Sequence, residues 1–321
     1  MKVAFFGLVG LGSSCLKKIL SAGIEVVGVV SEKFEDCKII EQKIFEIENI
    51  HKNALKEYLK YNYIFPLCAE KNIPFFSPDN SSDLTEISKS FLNAGADVLI
   101  VCSFGKKIPR KVYEDYMLAV NIHPGSLPDN AGPSPVQWHI RNNDKTAAVT
   151  AHLLSDEIDA GDIIAKINFP LEEFETSASL NKKITEIYAP EILMRTLTDY
   201  QLRHINPKPQ DLSLRKCNPK FTLDSSVINF ETDTADDIVL KIRAGNYYQP
   251  AHFNYNDKTI IVWDAVVSEK KINFKPGEAA ELTQEGYLII QAIDKPVELR
   301  YAQFNDNFSP MMLPERMLNY L

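Results

Sequence analysis

The stretch Leu118–Pro128, with the sequence LAVNIHPGSLP, begins as an apolar run and ends in a polar loop. Leu118–His123 predicts a buried strand, and Asn121 and His123 stand two residues apart near its end. Because side chains alternate along a strand, these two project from the same face. Ligands of open α/β sheets bind at the carboxyl edge of the strands, so the stretch predicts a functional site there.

Strand-like and helix-like segments alternate over the first two-thirds of the chain. Thr176–Arg203 predicts a long helix that closes this part. Strands that alternate with helices indicate an α/β fold with a Rossmann-like, mostly parallel sheet covered on both faces. The predicted strands are Lys2–Phe6, Glu25–Val30, Ile73–Ser77, Asp97–Cys102, Leu118–His123, Val149–Leu154 and Ile163–Ile167.

The pattern changes after residue 205. Residues 206–222 contain three prolines and have no clear period, which predicts a linker. Residues 223–321 contain a helical segment, Thr234–Arg243, among short alternating strands. Such spacing is typical of a small β-barrel. We therefore expect an α/β domain at 1–205, a linker at 206–222 and a smaller C-terminal OB-like β-barrel domain at 223–321.

Composition narrows the classes of function. The formal net charge of −8 argues against a protein whose main task is to bind DNA. No uninterrupted apolar run reaches about 18 residues, so no membrane span is predicted. The five cysteines are scattered and never form a CxxC pair, which predicts neither a disulfide framework nor a zinc site. This cysteine usage fits a cytoplasmic protein.

A second polar loop, residues 155–163 with the sequence SDEIDAGDI, follows the strand Val149–Leu154. Its glycine and three aspartates predict a sharp turn at the same edge of the sheet. An Asn, a His and an Asp that meet there would suit acyl transfer. An amide donor stabilises an oxyanion, an imidazole shuttles protons near neutral pH, and a carboxylate orients or charges that imidazole.

These motifs resemble those of the formyltransferases that use N10-formyltetrahydrofolate. The similarity is to the two-domain branch, which includes methionyl-tRNA formyltransferases and amino-sugar N-formyltransferases. The shared pattern is Asn121-x-His123, the turn Leu127-Pro128, and Asp159-Ala160-Gly161 at the family's separation. The resemblance extends over essentially the whole chain and is weak over Ser31–Asn62, an insertion of unassigned role.

The resemblance implies an N-formyltransferase in which Asn121, His123 and Asp159 are the catalytic residues. It also implies N10-formyltetrahydrofolate as the co-substrate, with no metal. The implied folate pocket is formed by Cys102, Ser103, Phe104 and Gly105 together with Ser155, Asp156, Glu157 and Ile158. Positions expected to bind the acceptor substrate are Gly10, Ser126, Pro128 and Trp138.

Two departures from the family pattern bear on the acceptor. The loop Asp129–Gly132 lacks the arginine that the tRNA branch and several sugar enzymes carry, and Ser31–Asn62 lacks glycine. Both favour a small-molecule amine, with an amino-sugar nucleotide first and an amino acid derivative second. Methionyl-tRNA is the alternative within the enzyme class, because the linker and the residues just before it carry a modest basic strip that could contact phosphates. That strip consists of Arg203, Lys208, Arg215, Lys216 and Lys220.

Other features have plainer interpretations. The glycines at 7, 10 and 12 do not have GxGxxG spacing and predict a tight turn instead of a dinucleotide site. His152 is interpreted as a packed core residue, and Cys102 as a core residue without a nucleophilic role. A non-catalytic folate- or nucleotide-binding relative is the alternative of a different class. A homodimer is left open.

Overall fold

The computed structural model describes residues 1–8, 10–31, 64–78, 80–246, 249–255, 258–270, 274–282 and 287–305. Apart from Ser31, the insertion predicted at Ser31–Asn62 lies outside these ranges. The chain divides into two compact units. Unit 1 comprises residues 1–133, 147–169 and 182–218, and unit 2 comprises residues 134–146, 170–181 and 219–321.

A seven-stranded sheet forms the core of unit 1, in the order β3-β2-β1-β4-β5-β6-β7. The pairs among β1 to β5 are parallel, whereas β6 runs antiparallel to β5. This confirms the predicted Rossmann-like, mostly parallel sheet. The strands are β1 (Lys2–Gly7), β2 (Glu25–Val30), β3 (Phe75–Phe76), β4 (Val98–Cys102), β5 (Leu118–His123), β6 (Thr146–Leu153) and β7 (Ile163–Pro170).

The strands of the sheet centre are apolar because helices cover both faces. Every residue of β4 is buried, from Val98 to Cys102. The first helices in the chain are α1 (Leu11–Ser21), α2 (Ile64–Lys71), α3 (Ser81–Asn93), α4 (Arg110–Tyr113) and α5 (Pro135–Arg141). Of the helices within the described ranges, none has both the length and the apolar character needed to cross a membrane.

The long helix predicted at Thr176–Arg203 is interrupted. It consists of α6 (Ser177–Lys183), a π-helical turn at Ile184–Tyr188, and α7 (Ala189–Gln201). Pro190 stands in the first turn of α7 and has no N–H to donate to the preceding turn, so the regular α-helical ladder gives way there. The ring of Tyr188, at the end of the π-helical turn, stacks on Phe169 with centroids 3.8 Å apart.

Unit 2 contains a five-stranded antiparallel sheet in the order β10-β11-β12-β9-β8. Helix α8 (Ala235–Gly245) buries Ile238 and Ile242 in one cluster with Phe230 and Phe253. This confirms a smaller C-terminal β domain, and α5 belongs to the same unit. The strands are β8 (Ala251–Tyr255), β9 (Lys258–Val267), β10 (Ala279–Leu282), β11 (Leu288–Gln291) and β12 (Pro296–Asn305).

Candidate active site

The end of β5 carries Asn121 and His123, as the alternation of its residues predicts. The antiparallel neighbour β6 places His152 directly opposite Asn121. The amide nitrogen Nδ2 of Asn121 lies 3.0 Å from Nε2 of His152. His123 and His152 are 4% and 2% exposed, so this edge of the sheet holds two imidazoles away from bulk water.

Asp159 reaches the same cluster from the loop that follows β6. Its Oδ1 atom lies 3.6 Å from Nδ1 of His123 and 3.6 Å from Nε2 of His152. Its Oδ2 atom accepts a hydrogen bond of 2.9 Å from the backbone N–H of Gly132. The structure therefore brings Asn121, His123 and Asp159 together, and adds His152 as a fourth polar member.

Backbone carbonyls fix the protons on both imidazoles. Nε2 of His123 lies 2.8 Å from the carbonyl oxygen of Asn130, so Nε2 carries a proton and donates it. Nδ1 of His123 is then the nitrogen that faces Asp159. Nδ1 of His152 likewise donates to the carbonyl of Leu153 at 2.9 Å, which leaves Nε2 to accept an N–H from Asn121. The amide of Asn121 has two N–H groups, so one remains for a ligand.

The charge of the cluster is set by Asp159, which is 8% exposed. Burial by itself raises the pKa of Asp159, but the neighbouring His152 and His123 rings and the Gly132 N–H favour the carboxylate more strongly. Together they lower its pKa to about 2. The side chain is therefore ionised at neutral pH, with its negative charge directed at the two imidazoles.

Two glycines allow the loops to approach this closely. A Cβ atom on Gly161 would lie 1.9 Å from the carbonyl oxygen of Leu153. Gly132 has φ +108°, and its Cβ would lie 2.3 Å from the carbonyl oxygen of Asn218. Asp159 itself has φ +58°, a left-handed conformation that non-glycine residues adopt rarely. These two glycines and the left-handed Asp159 therefore allow both loops to lie close to the Asp159 carboxylate.

The first predicted folate segment begins at the end of β4. Cys102 is fully buried, and burial together with its neighbour Cys15 raises the pKa of the Cys102 thiol, so this side chain is no nucleophile. Ser103 has φ +54° and turns the chain out of the sheet. The Phe104 ring packs on Phe6 with centroids 5.6 Å apart, so this side chain contributes to the core. Any contact of this segment with a ligand falls mainly to its backbone and to Gly105.

The second predicted folate segment is Ser155–Ile158. Ser155 donates to the carbonyl of Glu157 at 2.6 Å, and Asp156 accepts from the hydroxyl of Tyr113 at 3.1 Å. The carboxylate of Glu157 pairs with Arg215. Ile158 is 56% exposed and presents an apolar surface beside these polar groups. The segment thus offers one apolar wall and an ordered backbone.

The predicted acceptor positions are distributed over both units. In unit 1, Gly10 has φ +85° and precedes α1, while the carbonyls of Ser126 and Pro128 accept from the N–H groups of Asn130 and Lys216. In unit 2, the indole N–H of Trp138 donates to the carbonyl of Pro219 at 2.8 Å, and the ring packs edge-on against Phe221. Their roles in binding stay predictions.

Two residues of the site, His152 and Gln210, were not predicted from the sequence. His152 had been interpreted as a packed core residue, and its burial is real, but its ring contacts Asn121 and faces Asp159. Its signal was its place on a strand beside β5, seven residues before Asp159. Gln210, in the predicted linker, donates from Nε2 to the carbonyls of Asp159 and Gly161 at 2.9 and 2.6 Å. Nothing local in the sequence marks this glutamine.

Within the described ranges, no group of three or more His, Cys, Asp or Glu side chains is arranged to hold a metal ion. The cluster instead combines one amide, two imidazoles and one carboxylate. Such a set stabilises developing negative charge and moves protons, which are the requirements of acyl transfer.

Comparison with known proteins gives matches over most of the chain. The family model described as "Formyl transferase" matches residues 1–197, and the one described as "Formyl transferase, C-terminal domain" matches residues 220–312. A methionyl-tRNA formyltransferase of Rickettsia bellii is 33% identical over 215 residues, which cover 67% of this chain and 69% of the relative.

Solved structures share the fold. An N-formyltransferase from Helicobacter canadensis, in complex with folinic acid and dTDP-3-aminofucose, has a TM-score of 0.68 at 16% identity, covering 95% of this chain and 100% of that one. HypX from Aquifex aeolicus, in complex with tetrahydrofolic acid, has a TM-score of 0.62 at 21% identity, covering 94% of this chain. This chain spans 44% of the length of that HypX chain.

Proposed function

The chain belongs to the formyl transferase family, and from this premise we propose that it formylates the amine of a small molecule. It is an N10-formyltetrahydrofolate-dependent N-formyltransferase, as its relatives indicate. The proposed acceptor is an amino-sugar nucleotide, with an amino acid derivative as the second choice.

The observation that carries the proposed mechanism is that Asn121, His123 and Asp159 lie in one cluster, in which His123 and Asp159 are buried and Asn121 is half-buried. When the acceptor amine attacks the formyl carbon, negative charge develops on the formyl oxygen. The second N–H of Asn121 donates to that oxygen, and a protonated His123 adds positive charge nearby. Donors held in place away from water stabilise such charge far more than water does.

Asp159 acts as an electrostatic partner and not as the main base in this proposal. A carboxyl group with a pKa of about 2 is a weak proton acceptor at neutral pH. It orients His123 and stabilises the positive charge that forms on the ring during the reaction, as a carboxylate does for an imidazole in other acyl-transfer sites. The amine loses one proton as its C–N bond forms, and one proton must reach the departing nitrogen. The protonated His123 gives its proton to the departing nitrogen and then takes up the proton that the amine loses, directly or through water, so that no net proton is gained or lost.

The two loops beside the cluster are the proposed binding site for the pterin ring of the folate donor. Its flat pterin ring needs an apolar wall and backbone groups along its edge. Ile158 is exposed and apolar, and a Cβ on Gly105 would have only Leu8 within 4 Å among the residues that the structure describes. We propose that Cys102–Gly105 and Ser155–Ile158 hold the ring through their backbone, close to Asn121 and Asp159.

The charges around the cluster support a small acceptor. Arg215 donates to the carboxylate of Glu157 and to the carbonyl of Ile158, so its charge is already partnered. Lys166 donates to the carbonyl of Leu127 at 2.9 Å and lies near Asp129, so it too is engaged. A surface that grips several phosphates of a tRNA would instead present such side chains to solvent.

A second candidate function is the formylation of methionyl-tRNA. It is favoured by the relative from Rickettsia bellii, whose 33% identity extends over two-thirds of the chain. Lys208, Lys216 and Lys220 are exposed and remain candidates for phosphate contacts. The proposal for a small acceptor therefore needs a direct test against this alternative.

The test is the formation of tetrahydrofolate from N10-formyltetrahydrofolate with a panel of acceptors. The panel contains amino-sugar nucleotides such as dTDP-3-aminofucose, free amino acids, initiator methionyl-tRNA, and water alone. Turnover with one small amine supports the proposal. Turnover with methionyl-tRNA alone contradicts the proposal. In that case the rate should fall at least about tenfold between about 50 and about 200 mM salt, because salt weakens contacts with the tRNA phosphates.

A further inference from the structure

The residues Lys208–Asn218, here named the connecting segment, belong to unit 1 and are hydrogen-bonded to other parts of that unit at several points. We propose that Gln210 in this segment is a positioning residue that holds Asp159 in its reactive orientation, an inference that rests on the proposed function. Lys208 pairs through its backbone with Ile163, and Asn218 with Ala131. The connecting segment therefore contacts the loops on both sides of the cluster.

The side-chain amide of Gln210 has one consistent orientation. Its Nε2 atom donates to the carbonyl oxygens of Asp159 and Gly161 at 2.9 and 2.6 Å. Turning the amide over would place Oε1 against two other oxygens, which repels. Among the residues that the structure describes, the buried Oε1 has no hydrogen-bond partner, so the hydrogen bonds of this side chain are the two that Nε2 donates.

The two carbonyls belong to the turn that aims the carboxylate. Asp159 has a left-handed backbone with φ +58°, which is unfavourable for a residue with a side chain. Binding the carbonyls on either side of Ala160 keeps the turn in this conformation. With the backbone held, Oδ2 stays on the Gly132 N–H and Oδ1 stays between the two imidazoles.

The other end of the connecting segment holds the loop that carries Gly132. Lys216 and Asn218 form backbone hydrogen bonds with Pro128 and Ala131 in this loop. Asn218 also donates from Nδ2 to Asn130 Oδ1 at 2.7 Å. The backbone carbonyl of Asn130 in turn accepts from His123. One stretch of chain thus fixes the partners of both Asp159 and His123.

The variants Gln210→Met and Gln210→Glu separate the donor from the shape of the side chain. Methionine keeps the length and loses both N–H groups. Glutamate places a negatively charged carboxylate against the same two carbonyl oxygens. It can donate one hydrogen bond only after it is protonated. Gln201→Met is the control, because Gln201 ends α7 and is exposed.

For Gln210→Met we expect kcat to fall about ten- to a hundredfold, since a small misplacement of a reacting group has this effect. KM for N10-formyltetrahydrofolate should change less than about twofold, because the folate loops are retained. The activity of Gln210→Glu relative to the parent should rise as the pH falls from about 8 to about 5, while Gln210→Met shows no such recovery. Equal kcat in parent and Gln210→Met would overturn the inference.

A measurement without an acceptor keeps the inference separate from the proposed function. Amide hydrogen exchange at Gly132, followed by NMR, reports the hydrogen bond to Asp159 in the full chain. We expect exchange at Gly132 to accelerate at least about tenfold in Gln210→Met and to stay unchanged in Gln201→Met. A parent that fails to consume N10-formyltetrahydrofolate contradicts the function alone. Unchanged protection of Gly132 in Gln210→Met contradicts the positioning role, whatever the turnover.

Discussion

The Oδ2 atom of Asp159 accepts a hydrogen bond of 2.9 Å from the backbone N–H of Gly132. This contact joins the loop after β5 to the loop after β6, and it leaves Oδ1 facing the imidazoles of His123 and His152. One carboxylate therefore fixes loop geometry with one oxygen and the charge of the cluster with the other. The predictions below separate these two effects.

Replacement of the carboxylate by its amide tests the electrostatic role. In Asp159→Asn, a side-chain oxygen still accepts from Gly132, but the negative charge beside His123 is lost. We expect kcat with the identified acceptor to fall about 100- to 10,000-fold, because loss of the carboxylate that orients a catalytic imidazole has effects up to about this size. Asp162→Asn, three residues further along the loop, is the matched control and should stay within about threefold of the parent. An Asp159→Asn enzyme with more than a tenth of parental kcat would disprove the role.

The low pKa of Asp159 predicts how acid affects stability. The pKa falls from 3.8 to about 2 on folding, so the stabilisation is fully present above about pH 4 and is lost as the pH falls towards 2. The shift corresponds to about 2 kcal/mol, of which about half is lost at pH 3. Urea unfolding of the parent and of Asp159→Asn at pH 5, 4 and 3 measures this. The difference between the two proteins should shrink as the pH falls, and a constant difference would contradict the assignment.

His152 is expected to orient the amide of Asn121. Glutamine places an oxygen near the position of Nε2, whereas asparagine is too short to reach it. We therefore expect His152→Asn to lower kcat about tenfold, the effect of one lost hydrogen bond, and His152→Gln to retain most of it. Steady-state kinetics at saturating N10-formyltetrahydrofolate make the comparison. Equal losses in both variants would mean that the ring matters for packing and not for orientation.

Gly132 should tolerate no side chain. Its φ of +108° and the approach of Asn218 O to within 2.3 Å of a Cβ predict that Gly132→Ala loses at least about 2 kcal/mol of unfolding free energy. Gly23→Ala is the control, because Gly23 has φ +71° and no atom of the described part of the chain lies within 4 Å of a Cβ added there. The unfolding free energy of Gly23→Ala should fall by only about 1 to 2 kcal/mol, the cost of a left-handed backbone conformation for alanine. Loss of activity should accompany Gly132→Ala alone, since only this glycine bonds Asp159.

The parts of the site that the sequence predicted depend on local periodicity. Alternation along β5 placed Asn121 and His123 on one face, and the turn chemistry around Gly161 placed Asp159 at the same edge. The α/β class followed from strands that alternate with helices, and the structure confirms it. Alternation and turn residues are local properties, so they can be recognised in a single sequence.

The missing parts depend on pairing between distant segments. His152 meets Asn121 because of the register between β5 and β6, which one sequence does not specify. Gln210 lies 51 residues from Asp159 in sequence, and its segment has the proline content of a linker. The break in the predicted helix at Ile184–Tyr188 depends on packing as well as on Pro190. Tertiary contacts contribute to all three features.

The most direct test of the central claim is the release of tetrahydrofolate from N10-formyltetrahydrofolate by the parent and by Asn121→Ala, with dTDP-3-aminofucose as the first acceptor and the rest of the panel after it. We predict acceptor-dependent turnover with a small amine, reduced at least about 100-fold in Asn121→Ala, because one oxyanion donor supplies about that factor. Turnover that survives in Asn121→Ala, or a parent that binds no folate, would contradict the assignment of the cluster as a formyl-transfer site.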